Sequence, residues 1–151
     1  MKFFSLEVEH QGHFLYTQFM IEYFKDCGGS PEYERNDCTV RALAISTGKP
    51  YEEAYSILQT FGRKPNKGTN IRKFFKNNKI VLGYWFKKLS FRKQITLNKF
   101  VKKYPEGTYY VRISKHVFVI KDGVAIDMVK PRTYCRITDA WKVTSPTEEL
   151  K

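Results

Sequence analysis

The sequence predicts an α+β domain in which N-terminal helices, one of them opening on a cysteine, pack on one face of a C-terminal antiparallel β-sheet. Apolar residues recur at helical spacing as far as Tyr104, and beyond Pro105-Glu106-Gly107 the period changes to two. The length of 151 residues fits one domain with a core of its own, without metal or disulfide staples. Residues 1–144 are read as that domain, and Ser145 to Lys151 as a flexible tail.

In chain order, Phe3, Leu6 and Val8 read as a short strand. Phe19, Met20, Tyr23 and Phe24 then predict a helix from about His13 to Lys25, ended by Gly28-Gly29. Residues 30–35 read as loop. The clearest helix start is Asn36-Asp37 before Cys38, where either polar side chain can cap the first-turn amides, and Gly48 is the stop. A second helix runs from Pro50 to about Thr60, with Ala54, Tyr55, Ile57 and Leu58 on one side. Thr69 caps a third helix through about Lys76, Lys79 to Phe86 reads as one strand, and a fourth helix follows Thr96. The last third gives strands at Thr108 to Ser114, His116 to Lys121, Val124 to Val129 and Cys135 to Val143.

Hydrophobic residues at 42% exclude a disordered chain. The 27 Lys and Arg against 15 Asp and Glu leave a formal charge of +12, which favours acidic partners. Cys27, Cys38 and Cys135 contain no C-x-x-C pair and leave one over if two were bridged, so a secreted disulfide framework or a zinc knuckle is not expected. His10 and His13 lack ligand partners at metal spacing beyond Glu7 and Glu9, and no metal site is assigned. Apolar runs fall far short of the ~20 residues of a membrane span, and Glu7 and Glu9 interrupt any signal-peptide core. A cytoplasmic protein with no membrane partner is the expectation.

One group of residues carries chemistry. Cys38 sits in the first turn of a helix, where free amides and the helix dipole stabilise a thiolate. Among the histidines, His116 alone lies in an apolar strand. If Asp122-Gly123 forms a two-residue hairpin turn, Lys121 opposes Val124 and His116 opposes Val129, which places Asp127 on the face of His116 at diagonal distance. A three-residue turn would send Asp127 to the other face, and the two-residue turn is favoured. A carboxylate so placed orients the imidazole.

The phrases "NDCTVRALAISTG" and "PEGTYYVRISKHVFVIKDGVAID", with Trp141 beyond them, resemble the papain-like cysteine peptidase superfamily, above all its small phage-encoded members. The resemblance spans about Glu34 to Trp141, and it implies a papain-like fold with Cys38 as nucleophile, His116 as base and Asp127 as orienting acid. The backbone N–H of Cys38 and the amide of Asn36 would hold the oxyanion. Many of these peptidases place a glutamine before the cysteine, where this chain has Glu32, Tyr33, Glu34 and Arg35. The implied reaction is acyl transfer, with water completing a peptidase or amide hydrolase and an amine completing a transglutaminase-like transferase. No cofactor is implied, and a phage member would meet its substrate, a protein or peptide, in the host cytoplasm.

A competing feature is the acid-free segment with Arg63, Lys64, Lys67, Arg72, Lys73, Lys76 and Lys79. It reads either as a surface for phosphates or an acidic protein partner, or as a solvated helix face whose Phe74 and Phe75 are core. An acidic host protein is favoured over nucleic acid. The class opposed to an enzyme is a catalytically inactive basic binding protein of the same fold.

Overall fold

The computed structural model describes residues 21–146. Their elements run β1 (Glu22–Lys25), α1 (Cys38–Thr47), α2 (Tyr51–Thr60), α3 (Ile71–Asn77), β2 (Ile80–Val81), β3 (Tyr84–Lys88), β4 (Ile95–Thr96), α4 (Leu97–Lys103), β5 (Thr108–Ile113), β6 (His116–Lys121), β7 (Val124–Asp127), β8 (Arg136–Ile137) and β9 (Asp139–Thr144). The class is α+β. A seven-stranded sheet has the order β1-β7-β6-β5-β9-β3-β2, antiparallel except for β1 against β7, and β4 and β8 form a separate pair. Among the described residues no helix is long and apolar enough to cross a membrane.

Local chemistry sets most boundaries. Gly48, in the left-handed region at φ 68°, closes α1 by donating its N–H to the Ala44 carbonyl. Pro50 precedes α2, whose first turn carries Glu52 and Glu53 where the helix dipole favours negative charge. Thr96 caps α4 by accepting from the Lys99 N–H at 3.3 Å. Asp122 and Gly123 both have positive φ and set the predicted register, Lys121 opposite Val124.

Both faces of the sheet are buried. On one, α1, α2 and α3 cover Phe86, Tyr110, Val117, Val119, Trp141 and Val143, with the Phe75 ring stacked 4.5 Å from that of Phe86. On the other, Leu97 and Phe100 of α4 join Ile137 over Tyr109, Val111, Phe118 and Ile120. This corrects the expectation of helices on one face only: residues 117–120 are all buried, so each face of β6 needs its own cover.

Other expectations are corrected as well. Glu22–Lys25 is a strand, not the end of a helix, because its backbone pairs in parallel with β7, and Phe24 points outward at 58% exposure. The remainder of the expected strand and helix before residue 21, and the tail beyond residue 146, lie outside the described residues. Asn70, not Thr69, caps α3, accepting from the Lys73 N–H at 3.1 Å. The apolar run from Lys79 to Phe86 hides a hairpin, since Leu82 and Gly83 both take positive φ and Val81 pairs with Tyr84. β7 stops at Asp127, whose own carboxylate accepts the Met128 N–H at 2.8 Å. Cys135 to Val143 divides at Thr138 into β8 and β9, which pair in different sheets.

One buried hydrogen bond ties the sheet to the start of α1. The Tyr110 hydroxyl, wholly inaccessible, donates to the Thr39 carbonyl at 3.1 Å. Tyr110→Phe removes that donor with little change in shape and is expected to cost about 1 kcal/mol. Urea unfolding checks this as a lowered midpoint at unchanged slope.

Candidate active site

Three elements converge at the site. α1 packs along β6, so their first residues, Cys38 and His116, meet at one end of the sheet, and β7 brings Asp127 beside His116. The Cys38 thiol lies within interaction range of the His116 ring and the Val117 N–H, and both favour its thiolate. His116 Nε2 lies 2.7 Å from Asp127 Oδ2, which leaves Nδ1 for the sulfur. The Asp127 side chain is 7% exposed, its Oδ1 accepts from the Met128 N–H, and its carbonyl accepts from the Tyr23 hydroxyl at 2.9 Å and the Asp26 N–H at 3.0 Å. The carboxylate is therefore fixed from its side chain and its backbone.

Charge follows from this geometry. Burial pushes the Cys38 thiol up, but hydrogen bonds from His116 and the Val117 N–H, with the charges of His116 and Arg41, bring it below its ordinary value. Burial works against protonated His116, yet the hydrogen bonds and negative charges of Asp127 and Cys38 raise its pKa from 6.5 to about 9. His116 is therefore protonated at neutral pH, and its charge favours the thiolate form of Cys38. Neither Asn36 nor Asp37 caps α1, contrary to expectation. Asp37, 1% exposed, accepts instead from Ser30, Arg41 and the Tyr51 hydroxyl, the last at 2.8 Å. Burial and that carboxylate push the Tyr51 hydroxyl well up, so it stays a donor. Asn36 sends its side-chain amide to the Asn66 carbonyl at 3.0 Å, which commits the predicted oxyanion donor elsewhere.

A cleft of about 500 Å³ opens beside Cys38 and His116. Residues 68–72 form one wall, and Val117, Arg112 and Lys115 contribute to its lining. Thr39 and Thr69 also line this cleft, and their hydroxyl oxygens are buried without a protein partner among the described residues. The wall is latched to the segment before Cys38. Glu34 accepts from Arg63 at 3.1 Å and from the Asn66 N–H at 2.8 Å, while the Arg35 N–H donates to Asn66 at 2.7 Å.

The predicted basic surface is thus divided. Arg63 is buried, its guanidinium over the Tyr55 ring, and takes no part in a surface. Arg72 lies in the cleft, and Lys64, Lys67, Lys73, Lys76 and Lys79 are exposed. Phe74 and Phe75 are core. Among the described residues no group of His, Cys, Asp and Glu could hold a metal ion. Sequence reasoning missed Tyr23, Arg112 and Lys115. Lys115 was within reach, because a two-residue turn before His116 places it at the mouth of the same strand, whereas Tyr23 reaches Asp127 through a pairing that no local pattern signals.

No protein-family model, curated protein or solved structure matches this chain.

A pH prediction follows from His116. Its folded pKa exceeds the unfolded one, so its contribution to stability is complete below pH 6.5 and is lost as pH rises through about 9. In Asp127→Asn the His116 titration, followed by NMR of the ring protons, is expected to move from about 9 towards 6.5, and the alkaline loss of stability to shrink. An unchanged titration would show that Asp127 does not hold the proton.

Proposed function

We propose that this protein is a cysteine hydrolase of the papain-like type that cleaves amide bonds in a protein or peptide. The observation that carries the reading is the continuous chain from the Cys38 thiol through the His116 ring to the Asp127 carboxylate, beside an open cleft.

The steps follow from the pair of charges. The Cys38 thiolate attacks the scissile carbonyl carbon and forms a C–S bond. The oxygen takes up negative charge, which the N–H groups at the start of α1 stabilise, since no side chain caps them. His116 gives its proton to the leaving nitrogen as the C–N bond breaks. It then takes a proton from water as the new C–O bond forms and the thiolate departs. Asp127 keeps the ring oriented and stabilises its charged form. All three cysteines are unpaired, which suits a reaction that needs a reduced thiol and supports a cytoplasmic setting.

The test is digestion of a mixed peptide library with identification of new termini. Wild-type protein is expected to generate termini that Cys38→Ala does not, and His116→Ala to slow them at least about 100-fold. An added primary amine that replaces water in the products would identify a transferase. Identical termini from wild type and Cys38→Ala, or none from either, would leave the basic protein as a non-catalytic binder.

A further inference from the structure

The second feature of the cleft is its charge. Arg72, Arg112 and Lys115 line it beside Cys38 and His116, and no carboxylate lines it among the described residues. The two arginines are set in place from behind. Asp139, 3% exposed, accepts from Arg72 Nε at 2.8 Å and Arg112 Nη1 at 3.2 Å, while Lys88 Nζ stands 3.0 Å from its other oxygen and Thr138 donates at 3.0 Å. Burial alone would raise the Asp139 carboxyl, but hydrogen bonds from Lys88, Arg72 and Thr138 hold it below its ordinary value, so it stays charged. One anion thus faces three cations and leaves a surplus of two positive charges, to which Lys115 adds a third. Each guanidinium has five N–H donors, so a single contact to Asp139 leaves donors over.

We propose that Arg72, Arg112 and Lys115 form an anion subsite that selects acidic peptides, holding a substrate carboxylate beside the carbonyl that Cys38 attacks. The proposal rests on Cys38 as the nucleophile, since acyl chemistry requires a substrate with a carbonyl and peptides supply carboxylates next to one. Asp139 gives the arginines a fixed separation before substrate arrives, which is the arrangement that carboxylate recognition by paired guanidiniums needs. The exposed lysines outside the cleft add a long-range field of the same sign.

Two thiol reagents test the subsite. Iodoacetate carries the carboxylate and iodoacetamide is its neutral counterpart, so the ratio of their rates at Cys38 reads the subsite, while the iodoacetamide rate alone reads the nucleophile. In Arg72→Gln and Lys115→Gln, both at exposed side chains, the ratio of iodoacetate to iodoacetamide rates is expected to fall, by about tenfold in the double variant, the iodoacetamide rate of each variant serving as its own reference. Lys102→Gln, on α4 behind the opposite face, controls for net charge and is expected to leave the ratio alone. Equal ratios in wild type and the double variant, or an equal fall in Lys102→Gln, would overturn the subsite even if Cys38 remains reactive. An iodoacetamide rate at Cys38 no higher than at exposed Cys27 would instead overturn the nucleophile on which the subsite rests. In the peptide library, cleavage sites flanked by Asp or Glu are expected to predominate, and sites indifferent to charge would count against the proposal.

Discussion

The site depends on a carboxylate held in place where little water reaches it. Asp127 is held beside His116 by the hairpin register and by the backbone contacts from Tyr23 and Asp26, so it cannot swing away to solvent. Its negative charge is compensated by keeping the imidazole protonated, and the imidazolium in turn favours the thiolate of Cys38. Each of the three charges is costly alone at this degree of burial. Cys38 and His116 each shift the other's proton, so those two titrate as a coupled pair.

The rest of the fold holds these groups together from different directions. Asp37 anchors the residue before the cysteine to α2 through Tyr51, and Tyr110 ties the first turn of α1 to the middle of the sheet. Gly28, at φ 63°, carries the chain after β1 so close to α1 that a Cβ would stand 3.0 Å from the Arg41 carbonyl. The turn after the strand that supports Asp127 is thereby held against the helix that bears Cys38. Cys38, His116 and Asp127, on separate elements, keep their spacing because each element is fixed at a point near that residue.

Much of the site was legible because it depends on local signals. Gly48 marks the end of α1, and Asp122-Gly123 imposes a turn whose register puts Asp127 on the face of His116. What could not be read depends on pairing between distant segments. Tyr23 and Phe24 have spacing equally suited to a helix, and only the hydrogen bonds of β7 make β1 a strand. Leu82 gives no local warning of positive φ, so the β2–β3 turn stays concealed in an apolar run. Asn36 and Asp37 are good capping residues whose side chains are claimed by Asn66, Ser30, Arg41 and Tyr51. The basic segment was visible as composition, but its division into a buried Arg63, a cleft Arg72 and exposed lysines required the fold, as did the placement of Asp139 behind two arginines.

The central claim is that protonated His116 holds the Cys38 thiol below its ordinary pKa. Its most direct test is the ultraviolet absorbance of the thiolate as a function of pH, taken as the difference between the wild-type protein and Cys38→Ser. The account predicts a thiolate signal that appears below the ordinary thiol value of 9.0 and is already present where His116 is still charged. A difference signal that emerges only at or above that value would contradict it and would make Cys38 an ordinary half-buried thiol.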